Sequence, residues 1–121
     1  MESAVSTQDD RCVFCRISAG DEPAILLKRW RRVWAIQPLK PVTPGHVLVM
    51  PRAHVADYTV DPAVSAEVMH CAAEFANDLE LVPSNVITSA GRDATQSVMH
   101  LHLHIIPRSA GDGLALPWSP S

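Results

Sequence analysis

The hydrophobic pattern of the chain is clearest near its C-terminal end, where aliphatic residues alternate with histidines over residues 99–108. Period-two alternation is typical of a strand, because successive side chains of a strand point to opposite faces. His100, His102 and His104 are therefore predicted to share one face, with neighbours roughly 6.5–7 Å apart. The pattern predicts a strand that carries a row of three imidazoles.

Other apolar runs are shorter and also predict strands. They occupy residues 25–28, 33–36, 46–50 and 85–89. Apolar runs of this length, bounded by turn-forming residues, are typical of strands. The proline-rich stretch over residues 37–44 cannot hold regular structure, so it is predicted to be an ordered loop.

One stretch has the periodicity of a helix. Asp61-Pro62 is an acidic N-cap followed by proline, a combination that begins helices. Apolar residues then recur at helical spacing from Val64 to Leu79 and form a stripe one helix side wide. Pro83 follows and ends the pattern. Several strands with one long helix, and no strand–helix–strand alternation, predict an α+β fold with a mainly antiparallel sheet.

Composition limits the class of protein. With 121 residues, 47% of them hydrophobic, the chain has the size of one domain and can bury a core without disulfides. We assign that domain to residues 11–121 and a flexible polar leader to residues 1–10. A net charge of −3 argues against a surface that coats a nucleic-acid polymer. Since neither a membrane-spanning run nor a secretory signal is recognised, we expect a cytoplasmic protein without a membrane partner.

The histidine row is the first candidate for chemistry. Imidazoles on a rigid strand can bind a metal, transfer protons or attack an electrophile near neutral pH. A catalytic metal centre built from all three is disfavoured, since three ligands along a straight strand lie too far apart to converge on one ion about 2 Å away. The plainest alternative is a chance row on a solvated strand face.

The cysteines are the second candidate. Cys12 and Cys15 form a C-x-x-C pair in a chain without a recognised export signal, which favours metal or thiol chemistry over a structural disulfide. A reduced thiol pair without metal is the alternative. Cys71 lies near the helical stripe and is most simply a small buried apolar residue.

These motifs, taken in order, resemble the histidine-triad (HIT) family of nucleotide hydrolases and transferases. The histidine row matches the defining motif of that family, and Gln96-Ser97-Val98 matches the segment before it. Residues 44–54 resemble the family's PGH, apolar strand and PxxH element, and residues 111–113 with Trp118 resemble its tail. The C-x-x-C pair is similar to that of the zinc-containing bacterial-type branch. The resemblance covers residues 12–118, which is far more specific than a single motif.

The resemblance implies a fold and an assembly. Family members have a five-stranded, mainly antiparallel sheet with one long helix and a short helix, and they pair into a two-fold homodimer. In the zinc-containing branch, the residues that correspond to His54 and His100 join the cysteine pair around a zinc ion. Such a zinc would be structural, because all four positions are then filled by Cys12, Cys15, His54 and His100.

The resemblance also implies a reaction at the α-phosphate of a purine nucleotide conjugate. His102 would attack the phosphorus and form a nucleotidyl-histidine intermediate, while His104, Gln96 and Ser97 contact phosphate oxygens or the leaving group. The expected substrates are adenosine phosphoramidates and dinucleoside polyphosphates. Gln37 is expected to contact the ribose.

Two departures from the family pattern support an alternative function. Ser89, which we expect to contact the substrate, stands where the family usually has an asparagine, and Thr95 stands where it usually has a glycine. A β-branched residue restricts positive φ angles and narrows the phosphate loop. The alternative is a nucleotide-binding sensor or partner-binding module with weak or no turnover. We expect His46 to be a structural hydrogen-bonding residue and Arg108 to be a solvated arginine at a strand end.

Overall fold

The computed structural model describes residues 9–118 of the protein. Within these residues the chain forms two α-helices and a five-stranded sheet. The elements, in chain order, are α1 (Val13–Ala19), β1 (Leu26–Arg29), β2 (Val33–Ile36), β3 (Val47–Pro51), α2 (Pro62–Asp78), β4 (Ser84–Ile87), a 3-10 turn (Arg92–Ala94) and β5 (Leu103–Pro107). Most of the leader assigned to residues 1–10 lies outside the described residues.

The sheet has the strand order β1-β2-β3-β5-β4, and every neighbouring pair is antiparallel. This arrangement confirms the α+β class, the five strands, and the long and short helices. The structure describes a single chain, so the homodimer stays a prediction. In residues 9–118, no helix combines the length and apolar character needed to cross a membrane.

The long helix begins where its N-cap was predicted. The Asp61 carboxylate accepts hydrogen bonds from the backbone N–H groups of Ala63 (3.1 Å) and Val64 (3.4 Å), which satisfies donors that have no partner inside the helix. Its buried side chains include Cys71 and Phe75. The interpretation of Cys71 as a small core residue is therefore confirmed.

The core consists of two layers on opposite faces of the sheet, because strand residues alternate between faces. One layer joins α2 to the sheet through Val33, Ala35, Val47, Val49, Val68, Cys71, Ala72, Phe75, Leu101, Leu103 and Ile105. The other layer joins α1 to the sheet through Cys12, Phe14, Cys15, Ile36, Leu48 and Met50. The sheet is therefore covered on both faces, and α1 lies on the face opposite α2.

The histidine strand is shorter than predicted. β5 begins at Leu103, so only His104 lies within the strand, while His100 and His102 belong to the segment before it. The register pairs Val49 with Leu103. Two residues further along the ladder, Leu101 would lie opposite Pro51, which has no N–H to donate. The backbone N–H of Leu101 instead donates to the carbonyl of Val55 at 2.7 Å. The strand ladder therefore stops before it reaches the first two histidines.

Gly45, just before β3, is required by close packing. Its φ angle is +86°, and a Cβ atom at this position would lie 3.1 Å from Cγ of Pro107. Both the positive φ and the close approach favour glycine. Gly45 thus lets the loop enter β3 directly beside the end of β5.

Candidate active site and metal site

The three histidines gather on the α1 side of the sheet. The Phe14 ring packs edge-on against His100 and His102, with centroid distances of 5.6 Å and 5.1 Å. The rings of His102 and His104 are also 5.1 Å apart. The histidines thus share one face as predicted, although their rings converge more closely than residues on a flat strand would.

One ring nitrogen of His102 keeps its lone pair. Its Nδ1 lies 2.7 Å from the backbone carbonyl oxygen of His100, so Nδ1 carries the proton and donates it. The lone pair of the neutral ring is then on Nε2. Burial lowers the pKa of His102 below its usual value, because a charged imidazolium is poorly solvated there. The geometry therefore leaves Nε2 of His102 as a nucleophile or base.

His46 fixes the tautomer of His104. The backbone N–H of Val42 donates to Nδ1 of His46 at 3.1 Å, so the His46 proton is on Nε2. That Nε2–H donates to Nδ1 of His104 at 2.9 Å, which leaves His104 with an N–H at its own Nε2. Burial, with smaller contributions from the neighbouring histidines, lowers the pKa of His104 to about 4. His104 is thus a neutral donor, and the interpretation of His46 as a structural hydrogen-bonding residue is confirmed.

The His100 ring belongs to a separate cluster that contains both cysteines. Its Nε2–H donates to the carbonyl of Pro51 at 2.8 Å, which leaves the lone pair on Nδ1. Burial lowers its pKa to about 4, so the ring is neutral, as a metal ligand must be. Nδ1 of His100 lies 3.4 Å from Sγ of Cys12 and 3.6 Å from Sγ of Cys15.

His54 completes a candidate metal site. Its Nδ1 lies 3.3 Å from Sγ of Cys15 and 3.2 Å from Nδ1 of His100, and the four ligand atoms all lie within 4.8 Å of one another. Tetrahedral zinc holds such atoms roughly 3.3–3.8 Å apart, from Zn–N and Zn–S lengths of about 2.0–2.3 Å. Two cysteine sulfurs and two lone pairs that converge at these distances fit a Cys₂His₂ zinc site.

The Cys15 thiol is protonated unless a metal displaces the proton. Burial raises the pKa of Cys15 to about 11, and the neighbouring Cys12 contributes to the shift. A bound dication reverses this tendency, because coordinated sulfur is a thiolate. The predicted ligand set of Cys12, Cys15, His54 and His100 is therefore brought together by the fold.

The loop before the histidines is held by Gln96. This buried side chain accepts a hydrogen bond from the Gly91 N–H (2.8 Å) and donates to the carbonyls of Ala56 (2.6 Å) and Val98 (3.0 Å). Both amide hydrogens are thus used inside the protein. Gln96 positions the loop in this structure, and its contact with phosphate stays a prediction.

The remaining predicted site residues lie around the histidines. Ser97 is exposed at the start of the segment that leads to them, and Ser89 is half-buried. Gln37 is exposed and lines a cavity of about 660 Å³ together with Gly45 and His46, which places it near the His46 end of the group. Their contacts with substrate stay predictions.

Sequence reasoning missed two contacts at this site. The Thr88 hydroxyl donates to the backbone carbonyl of His102 at 2.7 Å and fixes the segment that carries this histidine. Phe14 covers His100 and His102 from α1. The position of Phe14 between the two cysteines was a usable signal, because a metal site at the cysteines brings the residues between them to His100.

The solvated interpretation of Arg108 is wrong. Its guanidinium donates to both carboxylate oxygens of Asp112 (2.8 and 3.0 Å), to Oδ1 of Asn85 (2.7 Å) and to the carbonyl of Leu114 (2.6 Å). The arginine therefore fastens the segment after β5 to β4.

Sequence and structure comparisons with known proteins identify the family of this chain. The model of the HIT domain family matches residues 19–111. The chain belongs to the HIT family. It is 34% identical over 115 residues to "Protein hit" of Bacillus subtilis, a match that covers 90% of this chain and 79% of that protein.

Two further relatives bear on the site. The chain is 31% identical over 118 residues to adenosine 5'-monophosphoramidase HNT1 of Saccharomyces cerevisiae, covering 96% of this chain and 75% of the yeast protein. A Zn-bound histidine triad family protein from Mycobacterium smegmatis superimposes with a TM-score of 0.75 at 34% identity, covering 91% and 84% of the two chains. The zinc-containing branch of the HIT family thus accounts for the cysteine–histidine cluster.

Proposed function

We propose that this HIT protein is a nucleotide hydrolase or transferase that cleaves purine nucleotide conjugates at the α-phosphate through a nucleotidyl-histidine intermediate. The substrates are adenosine phosphoramidates or dinucleoside polyphosphates. The observation that carries the proposal is the hydrogen bond from Nδ1 of His102 to the His100 carbonyl, because it leaves a neutral lone pair on Nε2. The similarity to a yeast adenosine monophosphoramidase supports the substrate class.

The reaction has two steps. Nε2 of His102 attacks the α-phosphorus, the bond from phosphorus to the leaving group breaks, and the leaving group departs with the bonding pair and takes up a proton. Water then attacks the same phosphorus, the P–N bond to His102 breaks, and the nucleoside monophosphate and a proton are released. His104 donates from Nε2–H to a phosphate oxygen, and Ser97 contacts the leaving group.

The metal site has a structural role: it holds the segment that carries His102 in place. When bound by Cys12, Cys15, His54 and His100, zinc supplies structural cross-linking, because its four positions are filled by protein. His100 then connects the two sites, since its side chain belongs to the metal cluster and its carbonyl orients His102.

The test is to trap the intermediate. Incubation with an adenosine phosphoramidate, followed by denaturation at neutral or basic pH and peptide mass spectrometry, is expected to find AMP on His102. His102→Ala should lose the adduct and more than the ~10²–10⁴-fold in turnover that one acid–base group contributes. His70→Ala, which changes an exposed histidine of α2, is the matched control and should behave like the unmodified protein. Near-normal turnover by His102→Ala contradicts the proposal.

A binding module with weak turnover is the second candidate function. It is favoured by Thr95, a β-branched residue held at a φ of +69° in the loop before Gln96, where the side chain strains the backbone and narrows the loop. Binding of AMP by calorimetry, without adduct formation or hydrolysis, would identify this function in place of the first.

We also propose that the protein forms a two-fold homodimer through β4. This strand is at the edge of the sheet, and Val86 and Ile87 are 43% and 40% exposed. An exposed apolar edge strand pairs readily with another strand, and two-fold dimers are the commonest soluble assemblies. Light scattering after size exclusion should give a dimer that Val86→Lys converts to monomer. Leu39→Lys, at an exposed loop residue, is the control, and a monomeric unmodified protein contradicts the proposal.

A further inference from the structure

A second cavity opens beside Ser97. It has a volume of about 570 Å³, and its lining includes Ser97 and Met99 from the segment that leads to the histidines, Val13 from α1, and the metal-site residues Cys12 and His54. The neighbour of Val13, Phe14, packs its ring 5.1 Å from the His102 ring. Ser97, where the proposed function places the leaving group, thus lies in the wall of this cavity. Its volume suits a small organic group.

The charge at this cavity is positive. Three arginines line it, Arg11, Arg16 and Arg92, against one carboxylate, Asp9. Arg11 pairs with Asp9 and Arg16 pairs with Glu22, each at 3.3 Å. Bound zinc would not change the net charge of the lining, since the thiolates of Cys12 and Cys15 compensate its two positive charges.

Arg92 differs from the other two arginines. It is exposed in the 3-10 turn, and no ion pair joins it to a carboxylate within the described part of the chain, residues 9–118. Its charge is therefore available to a ligand in the cavity. A positive cavity wall attracts anionic groups and repels ammonium groups.

We infer that this cavity receives the leaving group and that Arg92 is a specificity residue that favours anionic leaving groups over cationic ones. The inference rests on the proposed function and narrows its substrate class to conjugates whose leaving group carries phosphate or carboxylate. The chemistry is unchanged: the bond from the α-phosphorus breaks, and the leaving atom takes the bonding pair and a proton. Arg92 attracts a remote charge of the leaving group, in both the bound substrate and the transition state.

The test compares three AMP conjugates that share one P–N bond. Their amines are β-alanine, ethanolamine and 1,2-diaminoethane, so the leaving groups end in a carboxylate, a neutral hydroxyl and an ammonium. We expect Arg92→Glu in the metal-loaded full chain to lower kcat/KM about three- to tenfold for the β-alanine conjugate and to raise it for the diamine conjugate. The rate for the ethanolamine conjugate should be unchanged, which shows that the loop is intact.

Arg31→Glu is the matched control. Arg31 is also exposed, but it lies in the turn between β1 and β2 and does not line the cavity. The same change of charge at this position should leave the ratio between the β-alanine and diamine conjugates unchanged. High salt should weaken the preference of the unmodified protein, because exposed charges are screened.

The outcomes separate the inference from the function. If the unmodified protein cleaves all three conjugates and Arg92→Glu does not alter the ratio of anionic to cationic rates, the inference is wrong and the proposed function stands. If Arg31→Glu alters that ratio equally, net charge and not this cavity is responsible, and the inference is again wrong. If no conjugate is cleaved and His102 is never adenylylated, the proposed function is wrong and the inference with it.

Discussion

Hydrogen bonds that the sequence alone does not show fix the tautomers of four histidines: His46, His100, His102 and His104. The carbonyls of His100 and Pro51 accept the protons of His102 and His100, and the amide of Val42 determines the proton position of His46. The period-two pattern predicted that the imidazoles lie together. Which nitrogen is free could not be predicted, because it depends on backbone groups up to 49 residues away.

At Thr95 the type of side chain does not suit the backbone conformation. Its φ of +69° is in the left-handed region, where a β-branched residue is strained. Thr95→Gly is expected to raise the free energy of unfolding by about 0.5–1 kcal/mol, because relief of strain exceeds the extra chain entropy of glycine. Urea unfolding measures this change, and kcat/KM should also increase as the phosphate loop widens.

The matched variant at this position is Thr95→Ala. Alanine keeps a Cβ atom at the same positive φ, so most of the strain remains and the gain in stability should be smaller than for glycine. A Thr95→Gly protein that is less stable than the unmodified one would show that the threonine side chain contributes more than its strain costs.

At the scale of elements, local signals predicted most of the fold. The N-cap at Asp61 and the stripe that follows it specify α2, and the strands observed at Val33–Ile36 and Val47–Pro51 agree with the predicted runs within one residue. These segments were predictable because cap and periodicity act over a few neighbouring residues. The family resemblance implied a short helix but not its position at α1, since a segment of seven residues shows no clear period.

The start of β5 was not predictable from its own residues. The alternation continues from residue 99, and Leu101 is fully buried with Leu103 and Ile105. The ladder nevertheless ends at Leu103, because Pro51 of the neighbouring strand lacks an N–H and Leu101 donates to Val55 instead. The start of β5 therefore depends on the tertiary structure, because a residue of the partner strand determines it.

The segment after β5 contains an ion pair that makes stability depend on pH. The Arg108 guanidinium, and then the N–H groups of Leu114 and Ser109, hold the pKa of Asp112 well below its usual value. The charged carboxylate therefore stabilises the fold above the unfolded-state pKa of about 3.9, and this contribution is lost as the pH falls toward the lower pKa of the folded state. Asp112→Asn should be less stable than the unmodified protein at pH 7, and the difference should shrink at pH 3.

Urea unfolding of both proteins at the two pH values measures that difference. Asp93→Asn removes an exposed carboxylate from the 3-10 turn and is the control for a change of charge alone, with little effect expected at either pH. If the gap between Asp112→Asn and the unmodified protein is the same at pH 3 as at pH 7, the ion pair does not contribute as the geometry indicates.

At the scale of the whole molecule, the metal cluster joins parts of the chain that are far apart in sequence. Cys12 and Cys15 come from the start of the domain, His54 from the loop after β3, and His100 from the segment before β5. The C-x-x-C spacing predicted half of this set. The two histidines could be assigned only through the family resemblance, because no local pattern indicates that residues 46 positions apart share one point in space.

Removal of the metal is therefore expected to lower the free energy of unfolding of the whole domain, and to affect the reaction only through this loss of stability. The folded chain presents four converged ligands and the unfolded chain does not, so zinc binding adds to the free energy of unfolding. The zinc-loaded protein should melt at least about 5 °C above chelator-treated protein, and added zinc should restore the Tm. Cys12→Ser should lose both the zinc and the increment in Tm, whereas His102→Ala should keep both, because His102 is not one of the four residues of the metal site. Equal melting temperatures with and without zinc would show that the four residues form a thiol–imidazole cluster that needs no metal.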